Sequence, residues 1–201
     1  MKKNLNKTKM ANMSQNWLEV LVPFSHEYNK KLTGSEISRL VKIPQRSVLR
    51  YLEKLVKINL LRVEIRGRNK FYYFDLNNKR SKLILNMIEN YKSVIFSFKT
   101  SLWVYLEKLC EFGTFVLFGS HVKGYATKDS DIDVVIFARK TKKIKQLLEE
   151  MPVQVHFIDL KEFEKILFSG KVLAREIVKS HVVFGDVSAF TNICWRFYKN
   201  G

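Results

Sequence analysis

Two short apolar runs joined by a polar loop constrain this chain more than any other feature. The first run, Phe115–Phe118, stops at Gly119-Ser120, and the second run directly follows Asp131-Ile132-Asp133. Because strand side chains alternate between faces, we predict that the two aspartates point the same way. Adjacent carboxylates repel each other, so a fold tolerates them in solvent or on a cation. Oxygen ligands favour Mg²⁺ or Mn²⁺, and the pair therefore predicts a divalent metal site.

The Gly119-Ser120 turn predicts a second ligand at the same place. Its backbone N–H groups, its hydroxyl and a helix N-terminus behind it suit a phosphate. Metal beside phosphate is the arrangement of phosphoryl or nucleotidyl transfer. The competing interpretation is a polar strand edge with two exposed aspartates. A bare Asp-x-Asp favours that interpretation, but the joint pattern of runs, turn and spacing does not.

This pattern resembles the minimal nucleotidyltransferase domain of the DNA polymerase β superfamily, whose motif is Gly-Ser, ten residues and Asp-x-Asp. The similarity covers about residues 112–185 and includes the segments VHFIDLKEFEKIL and EIVKSHVVFGD. It implies that Asp131 and Asp133 bind the metal and catalyse transfer from a nucleoside triphosphate, with ATP as the expected substrate. The nucleotide-binding residues that it implies are Gly119, Ser120, Lys123 and Ser130. Lys128 is an alternative source of positive charge.

The family supplies a third carboxylate from the next strand, and this chain lacks it at the expected place. In the predicted strand 153–158, Val153, Val155 and Phe157 share one face, while Gln154 and His156 share the other. Alignment on the following Asp-Leu-Lys-Glu-Phe segment places His156 where the acid is expected, and Asp159 lies at the strand end. A neutral histidine can bind a divalent metal or accept a proton, although Mg²⁺ prefers oxygen. His156 is therefore the third catalytic candidate, and the alternatives are a slow, a nucleotide-binding or an inactive site.

Basic residues are concentrated in the first part of the chain. The formal net charge is +17, and residues 1–80 hold 18 of the 36 basic residues but only 6 of the 19 acidic ones. Such an excess predicts a polyanionic partner. The same part has a recognisable order of elements: a helix capped by Thr33 or Ser35, a turn at Pro44, a second helix to Ile58, and a hairpin at 62–76 turning at 67–69.

Helix, short turn, helix and hairpin in this order resemble a winged helix-turn-helix across residues 14–76. The resemblance implies that the second helix lies in the major groove of double-stranded DNA and that the hairpin tip meets phosphates. The residues expected to bind DNA are Gln45, Arg46, Ser47, Arg50, Arg66, Arg68 and Lys70. Ordinary core packing, protein interaction and RNA binding are the alternatives for this module.

We therefore predict an α+β chain with an N-terminal winged helix-turn-helix and a C-terminal nucleotidyltransferase-type α/β domain with a mixed sheet. The predicted divisions are a disordered basic start at 1–13, the winged helix-turn-helix at 14–78, a helical connector at 79–111 and the nucleotidyltransferase-like domain at 112–201. The connector is rich in large apolar residues that also suit a dimer surface. The later predicted elements are helix 141–150, strand 153–158, helices 160–169 and 172–180, strand 181–184 and helix 187–199.

The first functional hypothesis is an enzyme that moves a nucleoside monophosphate, with AMP favoured, to a hydroxyl acceptor. Relatives of the resembled family often act as antitoxins that adenylylate a HEPN-type toxin, which makes such a toxin a partner by analogy. The alternative is a DNA-binding transcriptional regulator whose second domain is inactive, only binds nucleotide, or forms a homodimer. Cys110 and Cys194 read as core thiols, and with no signal peptide and no apolar span they predict a cytoplasmic protein without membrane contact.

Overall fold

The computed structural model describes residues 16–127, 130–149 and 151–200. The predicted basic start at 1–13 and Lys128 lie outside these residues. The chain divides into two units, Met1–Ile88 and Glu89–Gly201. The division falls inside one helix, α4 (Lys79–Lys99), and each unit has its own sheet.

The first unit combines short helices with a small antiparallel sheet. In chain order its elements before α4 are α1 (Asn16–Leu21), a 3₁₀ turn (Val22–Ser25), β1 (Leu32–Thr33), α2 (Gly34–Val41), α3 (Gln45–Lys57), β2 (Leu61–Arg66) and β3 (Asn69–Phe74). The strand order is β1-β3-β2. Residues from every part of the unit form its core, including Phe24, Ile37, Leu52, Tyr72 and Phe74, all nearly or fully buried.

Local sequence explains the helix pair and the hairpin. Thr33 is the cap of α2: its hydroxyl accepts a hydrogen bond from Glu36 N at 3.3 Å, and the Glu36 carboxylate accepts one from Thr33 N at 2.7 Å. Gly67, with φ of +58°, makes the tight turn between β2 and β3. Both helices and the hairpin lie where the sequence predicts them. The two-residue strand β1 was not predicted, because two residues carry no periodicity.

The second unit contains the loop with the two aspartates. After α4 its elements are α5 (Trp103–Leu109), a 3₁₀ turn (Cys110–Phe112), β4 (Phe115–Phe118), α6 (Ser120–Lys123), β5 (Ile132–Ile136), α7 (Lys142–Glu149), β6 (Val153–Phe157), α8 (Leu160–Phe168), α9 (Val172–Lys179), β7 (Val182–Phe184) and α10 (Val187–Asn200). These bounds agree with the predicted elements to within one or two residues.

The sheet of the second unit is mixed, as predicted. Its strand order is β6-β5-β4-β7; β5 and β6 run parallel, while β4 is antiparallel to both of its neighbours. Helix α7 makes the crossover that the parallel pair requires. Alternate residues of β4 and β5, from Phe115 to Ile136, pack on one face with Leu106, Leu109 and Ile144. Strand alternation therefore puts Asp133 on the opposite face.

One residue departs from its predicted environment. Cys194 is buried as expected, but Cys110 is exposed, because it starts the 3₁₀ turn after α5 instead of pointing into the core. Across the described ranges, no helix has both the length and the apolar character needed to cross a bilayer.

Candidate functional site

The turn between β4 and α6 brings the backbone against a carboxylate. Gly119 has φ of +76°, a conformation that favours glycine. A Cβ built on Gly119 would overlap Oδ2 of Asp133 and stand 2.8 Å from its Cγ. The absence of a side chain at Gly119 is therefore what allows Asp133 to lie directly on this turn.

Asp131 and Asp133 stand at the beginning of β5. Asp133 pairs across the sheet with Phe118, the last residue of β4. It is half-buried, whereas Asp131 immediately precedes the strand and is exposed. Burial raises the pKa of Asp133 and the charge of Asp131 raises it further, while His156, His121 and Lys123 act in the opposite direction. The site thus concentrates negative charge that the neighbouring side chains only partly offset.

The loop after α6 is held by its own hydrogen bonds. Ring Nε2 of His121 donates to the carbonyl oxygen of Ser130 at 3.0 Å, and Ser130 Oγ accepts from Thr127 N at 2.9 Å. The Ser130 hydroxyl, expected to bind nucleotide, thus has the Thr127 backbone N–H as a partner. His121 carries no signal in the sequence for this role, since its partner is a backbone carbonyl nine residues away.

Lys123 has a partner that the sequence did not reveal. Its Nζ lies 3.1 Å from Oε2 of Glu176 on α9. The hydrogen bond to Glu176 is the main reason why the pKa of Lys123 is raised. The two residues are 53 positions apart, so no local pattern connects them. A phosphate at the turn would therefore compete with Glu176 for this ammonium group.

Strand β6 presents the face on which the family resemblance predicts a third carboxylate. Val153, Val155 and Phe157 pack toward the core, while Gln154 and His156 are exposed, as the alternation predicts. In register, Gln154 stands beside Asp133 and His156 stands beside Val135. The His156 ring also lies 6.3 Å from the ring of Phe118. Asp159 caps α8 by accepting from Glu162 N at 2.8 Å.

The donor set suits a hard divalent cation to a limited degree. Asp133 and the neighbouring Asp131 would provide the oxygen ligands that Mg²⁺ or Mn²⁺ prefers, and the lack of a side chain at Gly119 leaves room beside Asp133. Within residues 16–127, 130–149 and 151–200, however, no group of three or more His, Cys, Asp or Glu side chains converges on one point. Asp131 and Asp133 are therefore only candidate ligands, and further ligands would have to come from substrate and water.

The residues expected to bind DNA fall into two groups in the first unit. Around the start of α3, Arg46, Ser47 and Arg50 line one open pocket of about 450 Å³. Gln45 precedes them on the same helix and is exposed. At the hairpin tip Arg68 and Lys70 are exposed, but Arg66 forms an ion pair with Glu64 at 2.5 Å and lies over the ring of Phe71. The structure therefore brings Arg46, Ser47 and Arg50 together, whereas Arg66 is paired with Glu64 of the same hairpin.

Comparison with known proteins bears on the second unit. No curated protein and no solved structure gives a significant match to the chain. A family model described as "Nucleotidyltransferase domain" matches residues 102–184. The matched segment begins at the end of the predicted connector and contains Gly119, Ser120, both aspartates and His156. Residues 102–184 are therefore similar to nucleotidyltransferase domains, a class of domain that transfers nucleoside monophosphates.

Proposed function

We propose that the chain is a metal-dependent nucleotidyltransferase that moves AMP from ATP to a hydroxyl acceptor. The observation that carries this proposal is the contact of the Gly119 backbone with the Asp133 carboxylate. It brings the turn that would bind phosphate against Asp133, one of the two residues that would bind the metal, and glycine is needed there for both φ and space. A merely exposed pair of aspartates at a strand edge has no need of such a contact.

Asp131 and Asp133 would hold the divalent cation. When bound, the cation neutralises charge on the triphosphate and on the departing pyrophosphate. The raised pKa of Asp133 supports this role, since burial and Asp131 make its negative charge unfavourable until a cation arrives. The backbone and hydroxyl of Ser120, with the backbone of Gly119, would hold the outer phosphates. Lys123 would exchange Glu176 for a phosphate oxygen.

His156 would act toward the attacking hydroxyl. It is exposed on the same face as Asp133, and it lies close enough to affect the pKa of Asp133. A neutral imidazole can accept the hydroxyl proton as the new oxygen–phosphorus bond forms. Gln154, the direct neighbour of Asp133 in register, can donate a hydrogen bond but cannot act as a base.

The test is transfer of α-labelled ATP into a cell extract with Mg²⁺ or Mn²⁺. The wild-type chain is expected to label an acceptor, and Asp131→Asn with Asp133→Asn to abolish the label. Asp159→Asn is the matched control: it makes the same neutralisation at an exposed aspartate, and asparagine caps α8 as well as aspartate does. Equal labelling by the wild type and the double variant would refute the proposal.

A second function is favoured by the first unit. We propose that it binds double-stranded DNA through Gln45, Arg46, Ser47 and Arg50, with Arg68 and Lys70 at the hairpin tip. No ion pair joins Arg46, Arg50, Arg68 or Lys70 to an acid in the part of the chain that the structure describes. Together with the lack of a third acid in β6, this supports a DNA-binding regulator as the alternative to a working enzyme. If the chain is an enzyme, we further propose a HEPN-type toxin as its acceptor. If it is a regulator, we propose that it forms a homodimer.

Salt dependence of duplex binding tests the DNA proposal. Arg46→Gln with Arg50→Gln is expected to lower the slope of log affinity against log salt by about two, one for each lost phosphate contact. Arg62→Gln is the control, because Arg62 is already held by Asp75 at 2.7 Å. A slope that stays unchanged in the double variant would exclude this face of α3 as the DNA contact.

A further inference from the structure

A groove in the first unit lies between the second half of α3 and the hairpin. Its lining includes Val56 from α3 and Val63, Ile65 and Tyr72 from the hairpin, and it measures about 260 Å³. The groove is separate from the pocket at the start of α3, with which it shares only Glu53.

The hairpin itself explains why this groove is apolar. Residues paired in register share a face, and three such pairs, Leu61 with Phe74, Val63 with Tyr72 and Ile65 with Lys70, form the inner face. The first pair and Tyr72 are buried, but Val63 is 40% exposed and Ile65 is 69% exposed. The apolar stripe of β2 therefore continues past the point where the core ends, and solvent covers it.

The two faces of the hairpin differ in how their charges are used. On the outer face, Glu64 binds both Lys31 and Arg66, which lowers its pKa to about 2, and Arg62 binds Asp75. On the inner side, Lys57 and Lys70 flank the groove and form no ion pair within the described ranges. Glu53 is the acidic residue of the lining, and it faces Tyr72. The groove thus combines an apolar floor with two available ammonium groups.

We propose that this groove binds an acidic amphipathic helix of a partner protein. Apolar side chains of the partner cover Val63 and Ile65, and its flanking carboxylates meet Lys57 and Lys70. Because Lys70 is also a proposed DNA contact, the partner helix and duplex DNA compete for its ammonium group. Duplex DNA suits the groove less well, because an apolar floor offers nothing to a phosphate or to a base edge. This interaction is independent of nucleotidyl transfer in the second unit.

The test uses a synthetic helical peptide of about 14 residues with a leucine face flanked by glutamates. Fluorescence anisotropy is expected to show binding to the wild-type chain and weaker binding of the same peptide with lysines for glutamates. Ile65→Glu is expected to weaken binding of the acidic peptide about tenfold, and Ile65→Ser less. Val172→Glu is the matched control, since it makes the same charge change at another exposed aliphatic residue, in the second unit.

Three outcomes would overturn the proposal. The acidic peptide does not bind the wild-type chain, or Ile65→Glu and Val172→Glu weaken it equally, which would indicate attraction to net charge alone. In the third, Ile65→Glu leaves peptide binding intact but weakens duplex binding, which would assign the groove to DNA. Circular dichroism melting of each variant checks that the exposed substitution leaves the fold unchanged.

Discussion

Two carboxylates of the second unit, Glu89 and Asp133, experience opposite electrostatic surroundings. Glu89 is fully buried, with Nζ of Lys92 at 2.8 Å and Nε2 of His181 at 3.1 Å. Burial alone would raise its pKa, but Lys92 and His181 outweigh burial and lower the pKa to about 2. Asp133 is only half-buried, yet burial and Asp131 raise its pKa.

Among the described residues, the charge of Glu89 is stabilised by an ion pair within the fold, whereas the charge of Asp133 is not. Burial, reinforced by Lys92, lowers the pKa of His181, so its ring is neutral at pH 7 and Lys92 is the cation that balances Glu89. Asp133 forms no ion pair within residues 16–127, 130–149 and 151–200. A carboxylate that only stabilised the fold would be expected to resemble Glu89. The environment of Asp133 instead supports the proposal that it receives a cation together with the substrate.

The largest effect on stability is expected when the buried Glu89–Lys92–His181 network loses its carboxylate. Glu89→Gln leaves the Lys92 ammonium group, whose side chain is only 8% exposed, without its counter-ion. The free energy of unfolding is expected to fall by about 3–5 kcal/mol, measured by urea denaturation at pH 7. Adding Lys92→Leu to the same chain removes the stranded charge and should recover part of the loss. A change below about 1 kcal/mol would show that the buried pair does not stabilise the unit.

The same network predicts how stability depends on pH. The pKa of Glu89 is about 2 in the folded protein against an ordinary value of 4.5. A lowered pKa means that this contribution is fully present above pH 4.5 and is lost as the pH falls toward 2. Urea titrations between these pH values should therefore show a steeper loss of stability in the wild type than in Glu89→Gln. Parallel curves would contradict the assignment of this slope to Glu89.

The next prediction tests whether the lack of a side chain at Gly119 positions the Asp133 carboxylate for transfer. Gly119→Ala is expected to lower transfer about 100-fold, because the new Cβ displaces the Asp133 carboxylate. Gly113→Ala is a matched control: its φ of +113° and ψ of −147° lie in the same glycine-favouring region as the +76° and −152° of Gly119, but nothing lies within 4 Å of its Cβ position. Both variants should lose about 1–2 kcal/mol of stability from backbone strain. If both lose transfer equally, strain rather than the Asp133 contact explains the loss.

Sequence patterns predicted the parts of this site that lie within one or two residues of a strand end. Strand alternation predicts that Asp133 lies opposite the core-facing residues of β5 and that Gln154 and His156 share one face. The described burial agrees with both predictions. The helix pair and hairpin followed from a cap, a proline and a glycine turn for the same reason. Each of these features is encoded by neighbours in the chain.

Contacts between distant segments could not be predicted in this way. The Lys123–Glu176 pair and the Glu89–Lys92–His181 network depend on how α4 and α9 approach the sheet, which a single sequence does not encode locally. Cys110 was assigned to the core because cysteines are often buried, but the helix end exposes it. The exposure of Ile65 could not be predicted either, because the apolar alternation of β2 continues beyond the part of the strand that a helix covers.

A smaller effect tests whether the charge of Asp133 costs stability. A raised pKa in the folded state means that the contribution of Asp133 is present at low pH and is lost as the pH rises through that pKa. At pH 7 without metal, Asp133→Asn should therefore stabilise the chain by about 0.5–1 kcal/mol in urea denaturation while abolishing transfer. A loss of stability would mean that Asp133, like Glu89, already has its stabilising partner.

The smallest effect concerns the Lys123–Glu176 ion pair beside the site. It tests whether Lys123 serves the substrate or, like Lys92, depends on a carboxylate of the fold. Lys123 and Glu176 are 33% and 46% exposed, so their attraction is largely screened by solvent and contributes little to the fold. If Lys123 serves the triphosphate, Glu176→Gln frees it, and KM for ATP should fall two- to threefold with kcat unchanged. Lys161→Gln on α8, an exposed charge outside the pair, should change neither constant. An increased KM in Glu176→Gln would instead mean that the pair holds Lys123 in its working position, so that this ammonium group, like Lys92, depends on a carboxylate of the fold.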